Sequence, residues 1–405
     1  MKISELKRLI HIWTETSLVV RIIIGLVIGV LFGLAVPHWT GIAIFGQVFV
    51  SALKALAPVL VAVLVVASIA KAGGGLGPRF RTVLVLYLCS TLLAALVAVA
   101  GSFLFPVTLR LSDVATGQAP GQLTDVFSSL LTNMVNNPLM SVSQANYIGI
   151  LFWSVIIGLA LKKQASQTTI AMVGDVAGAV SQAVKWVIQA APLGIMGLVF
   201  KSVSESGLEV FTVYGQLVVL LVGCMAFTLL VASPLLAFIL LRRNPYPLLF
   251  TCLRESGLQA FFTRSSAANI PVNMQLCRRL GLDEDFYSVS IPLGATINMN
   301  GAACTITVMS LAVAHTMGIE VSFASAMLLS AAATLGACGA SGVAGGSLLL
   351  IPMACSFFGI EADVAMQAVA IGFIIGVVQD SVETALNSSS DVFFTATAEY
   401  LDKKE

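Results

Sequence analysis

Apolar residues run along this chain in blocks far longer than the core-facing stripe of a water-soluble helix. Near-continuous apolar stretches occupy residues 18–36, 44–70, 82–106, 147–161, 178–200, 213–241 and 286–314. About 20 helical residues, at a rise of about 1.5 Å each, cross the roughly 30 Å hydrocarbon layer of a bilayer, so these blocks predict membrane-crossing helices. A last apolar block, toward the C-terminal end, is interrupted by Asp380, Glu383, Asn387 and Asp391. At about 100° per residue these positions fall at about 0°, −60°, −20° and +20°, one narrow helical face. Carboxylates at bilayer depth are expensive unless they line a cavity or meet cations, so this face predicts a polar site inside the membrane.

Two stretches do not fit simple crossings. If the first residues are cytoplasmic, the inner side receives Lys2, Lys7, Arg8, Lys71, Arg79, Arg81, Lys162, Lys163, Arg242, Arg243, Arg278, Arg279, Lys403 and Lys404, and the outer side only Arg110 and Lys201. That positive-inside pattern, with both termini cytoplasmic, requires residues 246–281 to enter the membrane and return to the same face. Its centre, from Thr263 through Arg264, Ser265 and Ser266 to Pro271, is a polar break between two short arms. A second candidate, 322–358, has arms on either side of the glycine-rich tip Gly339-Ala340-Ser341-Gly342-Val343-Ala344-Gly345-Gly346. Arms of roughly 14 residues reach about 21 Å, too short to span alone. Irregular backbone at this depth belongs where it is buried in protein or lines a cavity, and two hairpins from opposite faces predict an inverted repeat closing on a central site.

Composition agrees with the pattern. The chain is 58% hydrophobic and only 10% charged, with a mean hydropathy of +0.97, values of a polytopic, all-α integral membrane protein. A net charge of +1, spread in ones and twos, carries no nucleic-acid signature. The cysteines (Cys89, Cys224, Cys252, Cys277, Cys304, Cys338 and Cys355) include no CxxC and read as small packing residues, while His11, His38 and His315 are too scattered to mark a transition-metal site. Charges at Lys7, Arg8, His11 and Glu15 leading into a full-length span predict a retained anchor rather than a cleaved signal. Residues 109–146 are polar and interrupted by proline and glycine, and predict an external elaboration.

Between the hairpin candidates, Pro292-Leu293-Gly294-Ala295-Thr296-Ile297-Asn298-Met299-Asn300-Gly301-Ala302 breaks a span that is apolar on both sides. Asn, Met, Asn and Gly are poor choices for a helix interior. What they offer is oxygen, from unwound carbonyls and amide side chains, which suits an alkali cation such as sodium.

The serine-rich hairpin tip, the Asn-Met-x-Gly break at 298–301, the glycine-rich second tip and the spacing of Asp380, Asn387 and Asp391 together resemble the dicarboxylate/amino acid:cation symporter family over essentially the whole chain. The resemblance implies eight transmembrane helices plus two re-entrant helical hairpins with inverted repeats, an elevator-type homotrimer in a bacterial inner membrane, and no enzymatic activity. Residues 1–245 would mainly form scaffold and trimer spans, 246–398 the core of the transport domain, and 399–405 a cytoplasmic tail. Carried over motif by motif, Asp380 would take a substrate ammonium and Asn387 its α-carboxylate. The backbone around Ser265 and Ser266 and around Ala340, Ser341 and Gly342 would close over the substrate. Gly294, Asn298, Asn387 and Asp391 match one sodium site; Thr296, Met299 and second-hairpin backbone match another.

Two departures from the family pattern shape the expectation. Members that take acidic substrates place an arginine where this chain has Glu383, which would repel a second carboxylate. Glu383 and Thr384 would instead accept the hydroxyl of serine or threonine, with Arg264 placed to neutralise Glu383. Asn300 stands where many relatives have an aspartate, so a third sodium site built with Tyr87, Ser90 and Thr91 lacks its charge. The resemblance therefore implies sodium-coupled import of small neutral hydroxy amino acids. Acidic amino acids or dicarboxylates, proton coupling and a channel are the alternatives. An intramembrane aspartyl protease would need carboxylates on facing helices, whereas Asp380 and Asp391 share one helix.

Overall fold

The computed structural model describes residues 16–71, 78–111, 132, 134–338, 340 and 345–403, and among them the chain is helical without a strand. Ser341 and Gly342 lie outside the described residues, as does most of the expected external elaboration. The first elements are α1 (Leu18–Ala35), α2 (Ala43–Lys71) and α3 (Pro78–Leu104), followed by the short α4 (Pro138–Ser143), capped by the Asn137 side chain, and α5 (Tyr147–Gln164). The block expected as one span at 178–200 forms two helices, α6 (Gln167–Gln189) and α7 (Ala191–Ser206), bent by 53°. Pro192 explains the break, because it has no N–H to donate to the Ile188 carbonyl one turn back.

The block expected at 213–241 contains α8 (Val210–Phe227), a widened π turn at Thr228–Ala232 and α9 (Ser233–Leu241). Pro234 would collide with the Leu230 carbonyl in a regular helix, so the extra residue in the turn relieves the clash. The Leu230 carbonyl instead accepts the Tyr246 hydroxyl at 3.0 Å.

Residues 246–281 form α10 (Tyr246–Cys252), a second π turn at Leu253–Gly257, α11 (Leu258–Thr263) and α12 (Ser266–Arg279). Arg264, at φ 52°, and Ser265, in extended backbone, make the turn between the two arms. After α13 (Glu284–Ile297) the chain opens at Asn298 and Met299 and resumes as α14 (Asn300–Thr316). Then come α15 (Phe323–Ala337), a 3₁₀ turn at Ser347–Leu350, α16 (Ile351–Ser356) and the 41-residue α17 (Ala362–Asp402).

By length and composition, five helices among the described residues can cross a membrane, or six with the bent α6–α7 pair. The packing falls into two groups. Helices α1, α2, α5, α6 and α7 lie mainly on one another, while α3 and α8 pack with the elements after residue 245. The α1–α7 contact is close because Gly25, Gly29 and Gly33 face the Pro192–Val203 surface, where a β-carbon would strike backbone or side chain. In the second group α14 is buried from Asn300 to Ala314, and α17 crosses beside it. Charged ends fasten this group: Arg79 of α3 pairs with Asp283 at 3.0 Å and with Asp402 at 3.0 Å, and Arg243 lies 4.2 Å over the Tyr400 ring. Two basic residues inside apolar blocks have partners, Arg21 with Gln189 and Lys54 with Asp363.

Candidate functional site

The break between α13 and α14 frees side-chain and backbone groups opposite the polar face of α17. Asn298 reaches across it: its Nδ2 donates to Asp391 Oδ1 at 2.9 Å and to Ser390 Oγ at 2.8 Å, and its Oδ1 accepts Ser90 Oγ at 3.1 Å. Asp391 is 1% exposed, and its Oδ2 has no hydrogen-bond partner among the described residues. Gly294 lies against this carboxylate so closely that a β-carbon would come within 2.8 Å of Asp391 Oδ1 and of the Tyr87 hydroxyl. A buried anionic oxygen without a donor costs about 1–3 kcal/mol or more. The arrangement is a hard-oxygen pocket with one acceptor to spare, which suits a small cation.

Around this pocket the four residues of the expected third cation site meet, but their hydrogen bonds are already made. Ser90 and Thr91 donate to Asn300 Oδ1 at 3.1 and 2.9 Å, and Asn300 Nδ2 donates to Ser390 Oγ at 3.3 Å. The Tyr87 hydroxyl lies 2.8 Å from Thr395 Oγ1 and 3.2 Å from the Ser290 and Asp391 carbonyls. An aspartate at 300 would bring a second charge here; asparagine brings a neutral acceptor.

One turn along α17, Asn387 caps α14. Its Oδ1 accepts the Gly301 N–H at 2.7 Å, and its Nδ2 points at Met299 Sδ at 3.5 Å. Thr296, expected beside Met299 in a second cation site, turns its hydroxyl to the Leu293 carbonyl of its own helix at 2.8 Å. The end of α15 comes to this point through Cys338, whose Sγ lies 3.4 Å from the Ile297 carbonyl.

Farther along the same face are two carboxylates with different partners. Asp380 is paired with Arg264, Nε to Oδ2 at 2.6 Å, and its Oδ1 accepts the Gly345 N–H at 3.2 Å. The expectation that Arg264 neutralises Glu383 is therefore corrected: the turn between α11 and α12 delivers the guanidinium to Asp380. Glu383 Oε2 accepts Thr305 Oγ1 at 2.7 Å, Ser347 Oγ at 2.9 Å and Gln379 Nε2, all neutral donors. Thr384 Oγ1 is committed to the Asp380 carbonyl at 2.7 Å. Ser265 Oγ caps α12 by accepting the Ala268 N–H at 3.2 Å, Ser266 is buried behind it, and Ala340 is buried at the end of the α15 arm.

Sequence reasoning missed one buried polar cluster. Asn269 and Asn273, one turn apart on α12, donate to Ser388 Oγ at 2.8 and 3.1 Å, and Asn269 also bonds Ser256 Oγ at 3.0 Å. The signal was present in the i, i+4 asparagine pair and in Ser388-Ser389-Ser390, but neither stretch stands out without knowing that they face each other. Thr305, Ser347 and Gln379, the donors to Glu383, were missed for the same reason.

Residues 18–401 match the sodium:dicarboxylate symporter family. The chain is 60% identical over 401 residues, 98% of its length and 93% of the relative's, to the serine/threonine transporter SstT of Bifidobacterium adolescentis. It is 53% identical over 396 residues to that of Streptococcus thermophilus, covering 97% of this chain and 98% of the relative. The SstT of Streptococcus agalactiae is 54% identical over the same length and coverage.

Proposed function

Because this chain belongs to the sodium:dicarboxylate symporter family, we propose that it is a sodium-coupled symporter that moves serine and threonine across a membrane by alternating access. The observation that carries this reading is the Asp391 pocket, where a buried carboxylate oxygen has no donor among the described residues beside Asn298 and Gly294. Sodium supplies the missing charge. Its binding draws the Asn298–Met299 break and α17 together, and through Asn387 and Gly301 this order reaches the start of α14.

The substrate lies farther along α17, its ammonium on Asp380 and its α-carboxylate near Asn387, between the Ser265–Ser266 turn and the glycine-rich segment around Ala340, Ser341 and Gly342. Glu383, with its neutral hydroxyl and amide neighbours, disfavours a second carboxylate and favours a neutral side chain. The serine/threonine names of the relatives support the same substrate class.

In this reading α1, α2, α3, α5, α6–α7, α8–α9, α13–α14 and α17 are eight crossings, and the pairs α10–α12 and α15–α16 are re-entrant hairpins. The α1, α2, α5, α6 and α7 group is the scaffold of a homotrimer in a bacterial inner membrane, with both termini cytoplasmic, and the rest moves as an elevator.

The test is uptake of labelled serine into proteoliposomes driven by an inward sodium gradient, with aspartate in parallel and a proton gradient alone as a third condition. Sodium-driven serine uptake without aspartate uptake is the expected result. Aspartate uptake in place of serine overturns the substrate, and proton-driven uptake without sodium overturns the coupling ion.

A further inference from the structure

We propose that Arg264 is the internal counter-ion of the empty carrier: it occupies Asp380 when no substrate ammonium is present, and so lets the vacant site return across the membrane without a counter-transported cation. This rests on the reading of Asp380 as the ammonium partner.

The geometry is specific to that role. The Arg264 side chain is 10% exposed and that of Asp380 4%, and the 2.6 Å contact between them is the only ion pair among the described residues with both side chains so enclosed. A buried carboxylate that loses its cation is strongly destabilised. A net importer must nevertheless expel its substrate and then reorient empty, which would leave Asp380 in that condition on every cycle. Arg264 is suited to fill the gap because it belongs to a turn rather than to a helix. It sits in the left-handed region at φ 52°, held by its N–H to the Ala260 carbonyl at 2.8 Å, and its side chain reaches Asp380 on the α17 face. The neighbouring carboxylate does not compete for it, since Glu383 turns to Thr305, Ser347 and Gln379. An arriving ammonium displaces the guanidinium from Asp380, and a departing one lets it back.

The role separates two modes of transport. Exchange of external for internal serine uses only the loaded carrier, whereas net uptake also needs the empty return. In proteoliposomes, Arg264→Met is expected to slow sodium-driven net serine uptake by at least about tenfold while exchange into serine-filled vesicles stays within about threefold. Internal potassium should restore part of the net uptake, and Arg264→Lys should lie between Arg264→Met and the unaltered protein. Equal losses in net uptake and exchange, or no loss in either, would overturn the proposal. If Arg264→Met is not recovered folded, the same ratio in Arg264→Lys decides. Asp380→Asn separates this failure from that of the underlying reading: normal exchange by Asp380→Asn removes Asp380 from the substrate site, whereas lost exchange there, with equal losses in Arg264→Met, removes only the counter-ion.

Discussion

Replacing Asp391 with asparagine separates the charge of the cation pocket from its shape. The two side chains have nearly the same volume, and an asparagine Oδ1 still accepts the Asn298 Nδ2 that now lies 2.9 Å from Asp391 Oδ1. What disappears is the negative charge, shared by two oxygens of which Oδ2 has no partner among the described residues. Unit charges about 4 Å apart attract by about 4 kcal/mol at an effective dielectric near 20. If dehydration of the ion offsets half of this, about 2 kcal/mol is lost, a roughly 30-fold weakening of sodium binding. Stability without sodium should change in the opposite direction, because the variant buries a neutral amide Nδ2 in place of a charged oxygen, and burying a charge costs more than burying a neutral polar group. Thermal unfolding of the purified protein in choline and in sodium reads both effects. Ligand at about 100 times its Kd stabilises by about 2.7 kcal/mol, so the parent protein should melt higher as sodium is added. Asp391→Asn should start higher in choline and stay flat. A variant that climbs with sodium as steeply as the parent would refute the assignment of the ion to Asp391.

Other substitutions test neighbouring parts of the site. Gly294→Ala puts a β-carbon 2.8 Å from both Asp391 Oδ1 and the Tyr87 hydroxyl, and overpacking of about 1–3 kcal/mol should raise the half-saturating sodium for serine uptake at least about fivefold; an unchanged sodium titration would show that the pocket has slack. Asn300→Asp adds a carboxylate where Ser90 and Thr91 already donate, and the dependence of uptake on sodium concentration should become steeper, which a sodium titration at fixed serine would register. Glu383→Arg is expected to lower the melting temperature and serine uptake, because it removes the acceptor shared by Thr305, Ser347 and Gln379 and sets a guanidinium among them; robust aspartate uptake by this variant would mean that the hydroxyls and the Gln379 Oε1 turn to accept the guanidinium.

Much of the local architecture was legible in the sequence because it depends on neighbours a few residues apart. The clustering of Asp380, Glu383, Asn387 and Asp391 on one face follows from helical periodicity alone, and the opening at Asn298–Met299 follows from residues that support a helix poorly. The Arg264–Ser265 turn was visible as a polar interruption between apolar arms. The bend at Ala190 was missed because the apolar run continues through it, although Pro192 marks the spot. Pairings across elements were harder. Arg264 has two carboxylates within one turn of each other to choose from, and nothing in their spacing selects Asp380 over Glu383. The Asn269–Ser388 contact joins residues far apart in the chain, and Ser388 itself is unremarkable until α12 is laid beside it. Periodicity fixes which side chains share a face; it does not fix which face they meet.

The unbroken course of α17 has a consequence for fidelity. Asp380 and Asp391 are carried by one continuous helix, with about 16 Å between them along its axis. A continuous helix transmits displacement without changing the spacing of its own residues, so under the proposed assignment amino acid and ion on these two carboxylates would travel as fixed cargo on a single rod. Slippage, in which one is carried without the other, would then have to begin where the backbone is interrupted, at the Asn298–Met299 opening or at the Arg264–Ser265 turn.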